Sequence, residues 1–165
     1  MLRSLMLSLL FSFFCLTAGA QYYLISDGSV VSCDGFFLDS GGNLGNYGPN
    51  ESYTVSICPD GSTGTHTRLR FSGVDLKPGD ELCFFDGPNI LGTSLGCASD
   101  YQAGAPFILQ ASPTNFSGCL TIAFTSTSSG QGKGWIAEIE CVAACQAFQA
   151  KINSTTPATV PVDTG

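Results

Sequence analysis

Apolar and polar residues alternate along much of the chain with a period of two. Val55 and Ile57 alternate with Thr54 and Ser56, Leu69 and Phe71 with Arg68 and Arg70, and Leu82 and Phe84 with Glu81 and Cys83. Further on, Leu120, Ile122 and Phe124 alternate with Thr121 and Ala123, and Trp135, Ala137 and Ile139 with Ile136, Glu138 and Glu140. Successive side chains of a strand point to opposite faces, so each run predicts a strand with one face turned to a core. Phe107-Ile108-Leu109 adds a short continuous apolar run. Turn-forming clusters separate the runs: Asp39-Ser-Gly-Gly42, Pro59-Asp-Gly61, Lys77-Pro-Gly79, Asp86-Gly-Pro88 and Ser128-Ser-Gly130. No segment before Cys141 sustains a helical period. Many short strands at regular spacing predict an all-β sandwich or barrel.

The ends of the chain depart from this pattern. Arg3 precedes an almost wholly apolar stretch from Leu5 to Leu16, and Ala18-Gly19-Ala20 offers small residues of the kind signal peptidase accepts. Residues 1–20 are read as a signal peptide cleaved before Gln21. The apolar run is shorter than the roughly 20 residues a membrane-spanning helix needs, which disfavours an anchor. Cys15 follows Phe14 where a lipoprotein signal would have a small residue. At the other end, residues 142–165 turn Thr- and Pro-rich and lose alternation, as a linker toward a further region does. Residues 21–32 are a lead-in, and residues 33–141 the folded domain.

About 145 residues remain after cleavage, enough for one domain with a single core. They keep all 13 acidic residues and lose one of the 6 basic ones. Nucleic acid and anionic membrane surfaces require clustered positive charge, so both are excluded as partners. Cys33, Cys58, Cys83, Cys97, Cys119, Cys141 and Cys145 survive cleavage, and in an oxidising compartment they read as a disulfide framework. A zinc site fails for want of a CxxC pair and because His66 is the 1 histidine. The odd cysteine is assigned to Cys145, beyond the last strand and unpaired within the domain.

Several fragments now stand in one order. Asp39 to Tyr47 forms an opening loop with serine and tyrosine; Phe71-Ser-Gly-Val-Asp-Leu76 leads to Asp80-Glu-Leu-Cys-Phe-Phe-Asp-Gly87; Leu91-Gly92 and Gly96-Cys97 follow; Phe124-Thr-Ser126 and Gly132-Lys-Gly-Trp135 close the series. In this order they resemble a CUB domain over about Cys33 to Cys141, in particular the CUB-like modules at the front of large secreted bacterial surface proteins. The resemblance implies a jelly-roll type β-sandwich of two mainly antiparallel sheets, stapled by disulfides. It also implies bridges Cys33–Cys58 and Cys83–Cys97, which leaves Cys119 and Cys141; the sequence alone does not choose among connectivities. A register argument supports the sandwich. A plain hairpin of residues 120–124 with 135–139 would set Ile122 beside Glu138 on one face, so the two strands fit better in opposite sheets.

Many CUB domains hold calcium through a Glu after the Asp-Leu motif, the Asp opening the next strand, and a late Asp. Here Asp80 matches the middle ligand, but Lys77 stands at the Glu position and Thr127 at the late Asp. A hard cation wanting 6–8 oxygens is not held by one carboxylate beside an ammonium, so no cofactor is expected, calcium included, and Asp80 is the one transferable ligand. No catalytic residues are expected either. His66 lies in a Gly/Ser/Thr-rich stretch read as an exposed loop, without a nucleophile and acid beside it. Glu138 and Glu140 share one outward strand face and do not flank a substrate bond.

Tyr22, Tyr23, Phe36, Phe37, Tyr47, Tyr53 and Tyr101 are candidates for stacking on sugars, with covering the ends of the sandwich the preferred role. Asn50, Asn115 and Asn153 head glycosylation sequons, meaningful in a eukaryotic host. The expected function is a non-catalytic extracellular interaction or adhesion module, the N-terminal domain of a larger secreted or cell-surface protein. Its partners would be extracellular proteins or glycans, and the mature domain would not insert into membranes. The alternatives are a carbohydrate-binding module, or an accessory domain of a secreted protease whose catalytic part lies downstream.

Overall fold

The computed structural model describes residues 20–144. The alternating runs form β4 (Ser52–Cys58), β5 (His66–Asp75), β6 (Glu81–Asp86), β9 (Leu120–Thr125) and β10 (Gly134–Val142), and the continuous run forms β8 (Phe107–Gln110). Four shorter strands complete the set: β1 (Tyr22–Leu24), β2 (Gly28–Val31), β3 (Phe36–Leu38) and β7 (Thr93–Cys97). One sheet has the order β1-β3-β10-β5-β8 and the other β2-β4-β9-β6-β7. Only the pairings β1–β3 and β2–β4 run parallel. The architecture is a two-sheet, mainly antiparallel β-sandwich. Residues 21–32, expected as a lead-in, supply one edge strand to each sheet, so the folded unit starts upstream of Cys33.

The two sheets exist because their apolar faces need each other. Leu69, Phe71, Trp135, Ala137 and Ile139 from one sheet and Val55, Ile57, Leu82, Phe84, Leu120, Ile122 and Phe124 from the other make a single core. Aromatic rings bridge the layers: Phe71 meets Phe84 at 5.4 Å between centroids, and Phe124 packs edge-on against Trp135 at 5.0 Å. Each fully buried side chain of this size contributes about 1.5–3 kcal/mol. The register argument holds. β9 and β10, consecutive in sequence, lie in different sheets, and Glu138 faces Arg70 across β5 on the outer surface. There Glu140 accepts from Arg70 Nε at 2.7 Å and lies 3.6 Å from Arg68. Such exposed pairs contribute about 0–1 kcal/mol.

The disulfides are Cys33–Cys141, Cys58–Cys119 and Cys83–Cys97. The implied Cys33–Cys58 and remaining Cys119–Cys141 pairings are corrected, and strand register gives the reason. β2 and β4 are parallel with Val31 opposite Cys58, so Cys33 has already left the strand, and it crosses to β10 in the other sheet. Cys58 instead reaches Cys119, one step beyond the Ile57–Leu120 pair of β4 and β9. Placing Cys119 and Cys141 in opposite sheets separates them, as the register argument itself required. Cys83 and Cys97 stand directly opposite in β6 and β7. Cys145 lies outside the described residues, as do the expected signal peptide up to residue 19, the linker from residue 145, and Asn153.

His66 is a second correction. Expected in an exposed loop, it opens β5 opposite Val142 and is 6% exposed. The connection before β9 folds over it: Thr67 N–H donates to Gly118 O at 2.8 Å, and a Cβ on Gly118 would collide with Thr65 O. Gly118 has φ +64, so this close approach accepts no other residue without strain.

The bridges close very different loops, with sequence separations of 108, 61 and 14. Loop-closure entropy predicts that replacing both Cys33 and Cys141 by Ala destabilises the fold most, and replacing Cys83 and Cys97 least, with a spread of about 1–2 kcal/mol. Urea unfolding of the paired double variants measures this order. Non-reducing peptide mapping should recover the same three linkages, and a Cys33–Cys58 peptide would contradict the structure.

Candidate functional site

The loop between β5 and β6 carries Asp80, and two segments distant in sequence converge on it. Tyr47, from the opening loop, is 1% exposed and packs edge-on against Phe124 at 5.2 Å. Burial aims its hydroxyl at the loop, where it donates to Asp80 Oδ2 at 2.5 Å and accepts from Lys77 N–H at 2.9 Å. Thr127, after β9, donates to Asp80 Oδ1 from its backbone N–H at 2.6 Å and from its hydroxyl at 2.8 Å. Asp80 N–H closes the turn onto Lys77 O at 3.0 Å. The carboxylate is thus the hub of a cross-tied loop cluster.

The surrounding polar groups are similarly occupied. Asp39 is 1% exposed and accepts from Gly41 N–H at 2.7 Å and Trp135 N–H at 3.2 Å. Glu51 accepts from the Ser40 hydroxyl at 2.6 Å and Gly48 N–H at 3.0 Å. Ser126 Oγ accepts from Glu51 N–H at 2.8 Å and donates to Gly48 O at 2.8 Å. Asp75 accepts from Lys133 N–H at 3.0 Å and lies 3.8 Å from the Lys77 ammonium. Burial pushes the Asp39 carboxyl above its usual range. Asp80 behaves in the opposite way: burial raises it, but hydrogen bonds from Tyr47 and Thr127 outweigh burial and hold it below the usual range.

A calcium ion does not fit this arrangement. It needs an inward shell of oxygens with free lone pairs. The groups aimed at Asp80 are instead the Tyr47 hydroxyl and the Thr127 N–H and hydroxyl, all acting as donors. Lys77 keeps its ammonium beside Asp75, and Glu51 is committed to Ser40 and Gly48. Thr127, at the expected late-Asp position, offers Asp80 an N–H and a hydroxyl where a carboxylate would be needed. Glu81, Cys83 and Cys97 also cluster, but both sulfurs are in a disulfide and offer no thiolate.

Beside the hub lies a groove of about 360 Å³, with Val74, Leu76, Pro78, Tyr101 and Phe107 among its walls. Tyr101 stacks on Phe107 at 4.2 Å and Phe107 on Phe71 at 4.6 Å, which anchors its floor to the core. The other aromatic candidates divide: Phe37 and Tyr47 are buried, and Tyr22, 55% exposed, stacks on Phe36 at 5.7 Å. That stack covers one face of each ring and does not set two rings side by side as a sugar platform.

Residues that the sequence analysis did not single out as a surface stand at the opposite end. Ile90 and Leu91 at the β6–β7 turn are 53% and 90% exposed, and Phe116 in the β8–β9 connection is 99% exposed. Asp86 joins these two loops, accepting from Ser112 N–H at 3.1 Å and from Asn115 Nδ2 at 2.6 Å. It therefore ties a neighbouring loop instead of serving its own turn. The signal was present in sequence: apolar residues inside turn-rich segments break the rule that loops are polar.

No protein-family model and no curated protein matches this chain. Among solved structures it is similar to a MASP-1 CUB2 domain bound to Ca2+, at 17% identity and TM-score 0.52, over 70% of this chain and 99% of that one. It is similar to the CUB1-EGF-CUB2 domains of rat MASP-1, at 14% identity and TM-score 0.50, over 73% of this chain and 43% of that one. It is also similar to the full extracellular region of zebrafish Gpr126/Adgrg6, at 15% identity and TM-score 0.51, over 70% of this chain but 14% of that one. A disulfide-stapled two-sheet sandwich with these neighbours defines the class. The chain has a CUB-like fold.

Three outcomes follow from the hub. Tyr47→Phe removes one donor and one acceptor from a buried network and should lower stability by about 1–3 kcal/mol in urea unfolding. Asp80 has a lowered folded pKa, so its contribution is present above the unfolded value of about 3.9 and is lost as pH falls through the folded value. The Tm difference between the native protein and Asp80→Asn should accordingly be largest near neutral pH and shrink in acid. Calcium and chelator should leave the native Tm unchanged; a clear rise at millimolar calcium would overturn the reading of Thr127 and Lys77.

Proposed function

We propose that the chain is a non-catalytic extracellular interaction and adhesion module, the N-terminal domain of a larger secreted or cell-surface protein. Three bridges on a CUB-like sandwich favour an oxidising compartment. The expected signal peptide at residues 1–20 supports the same placement. Among the described residues no helix is long and apolar enough to cross a membrane. The candidate catalytic groups support no reaction: Glu140 is in ion pairs on the outer face, and His66 Nδ1 pairs with the Thr65 hydroxyl at 3.0 Å where a triad requires an acid.

The observation that carries the proposal is the apolar end formed by Ile90, Leu91 and Phe116. Large apolar side chains exposed on two loops that Asp86 ties to one another support a site for another protein at this end. Rigid loops also reduce the ordering cost of binding. The carbohydrate reading rests on Tyr22 alone among the exposed aromatic rings of β1 and β3. The protease-accessory reading depends on what the chain is joined to.

Binding of the soluble domain to cell surfaces and matrix proteins, read by surface plasmon resonance, tests this. The double change Leu91→Ser, Phe116→Ser should reduce binding at least tenfold with the Tm preserved. Undiminished binding by that variant sinks the proposal, and competition by free sugars would turn it toward the carbohydrate reading.

A further inference from the structure

The sequons at Asn50 and Asn115 have the same sequence chemistry but opposite structural settings. Asn115 Nδ2 donates both its protons, to Asp86 Oδ1 at 2.6 Å and to Cys119 O at 2.7 Å. Its Oδ1 accepts from the Ser117 hydroxyl at 2.6 Å and from Ser117 N–H at 3.2 Å. The acceptor amide and the sequon hydroxyl are therefore both consumed in building the loop beside the Cys58–Cys119 bridge. A glycan on Nδ2 replaces one of those protons and places a sugar between Asn115 and its partners, so occupancy and the folded loop exclude each other.

Asn50 is arranged for the opposite outcome. Its backbone is fixed, with N–H donating to Thr127 O at 3.0 Å and φ at +56, a left-handed conformation that Asn tolerates better than most residues. Its side chain is exposed and makes no hydrogen bond among the described residues. Ser52, which completes the sequon at the start of β4, is also exposed, and its hydroxyl makes no hydrogen bond among the described residues. Asn50 stands at the corner between Gly48-Pro49 and β4.

We infer that Asn50 is competent as an N-glycosylation acceptor in a host that glycosylates exported chains, and that Asn115 is a structural asparagine in sequon form. In the transfer, Asn50 Nδ2 attacks the anomeric carbon of a polyprenyl-diphosphate-linked oligosaccharide; the N–C bond forms as the bond to the diphosphate breaks, and the amide proton is lost. The inference rests on the export proposed above. It also deepens that reading. Ser52 pairs with Thr125 and Thr125 with Glu81 at one end of the sheet, whereas Asp86 pairs with Leu120 at the other. The glycan therefore stands over the Asp80 end and leaves Ile90, Leu91 and Phe116 uncovered.

The full chain is expressed in animal secretory cells in two forms, one with its own residues 1–20 and one with these replaced by a signal of established cleavage. Amidase release in heavy-oxygen water, followed by peptide mapping, marks each asparagine that carried a glycan. The expected result is most secreted molecules marked at Asn50 and none at Asn115, with Asn50→Gln secreted normally and unmarked there. Unmarked Asn50 in the second form, or marked Asn115 in folded secreted protein, overturns the inference. Secretion of the second form alone refutes export by the native segment while leaving the Asn50 test intact.

Discussion

The constraint on which this structure depends is that each long strand has one apolar face that must be buried. β9 and β10 follow one another in sequence and would form a hairpin by proximity alone. Their patterns forbid it: pairing them would place Ile122 and Glu138 on a shared face. The chain resolves the conflict by sending β9 to the centre of one sheet and β10 to the centre of the other, with Phe124 and Trp135 meeting across the interior. Sheet order, the crossing of Cys33 to Cys141 and the separation of Cys119 from Cys141 all follow from that division.

At the Asp80 end, charge and hydrogen bonding perform a task that elsewhere is suited to a cation. Several loops must be held together where no strand pairing reaches them. A divalent ion would collect carboxylates; this chain collects donors around one carboxylate. The solution needs a buried phenol of fixed direction, which Phe124 provides by packing against Tyr47. It also needs a residue with both N–H and O–H in reach, which Thr127 provides.

Much of the fold was legible because long alternating strands bury enough surface to dominate local preferences. The six strands read from the pattern are all present. The short strands β1, β2, β3 and β7 were not legible, since three to five residues carry too little periodicity and pair only because longer neighbours offer an edge. Disulfide partners failed for a related reason: pairing depends on where strand ends meet in space, as at Ile57–Leu120, and not on spacing along the chain. His66 was misplaced because a Gly- and Thr-rich flank reads as loop, whereas the segment through Gly118 folds over it. At the hub, the substitution of metal-type ligands was visible in Lys77 and Thr127, but the role of Thr127 as a double donor is a property of geometry. The apolar tips were not legible because isolated residues in turns carry no periodic signal.

The Cys33–Cys141 bridge joins the two ends of most of the domain across a separation of 108 residues. Tension between a neighbour upstream of Cys33 and one downstream of Cys141 therefore runs through a covalent bond. β1 and β2 lie ahead of the bridge and can be peeled away; everything from β3 to the bulk of β10 is excluded from the load path. Once β1 and β2 had given way, such a load path would behave as an inextensible link, with the end that carries Ile90, Leu91 and Phe116 undisturbed while force passes by.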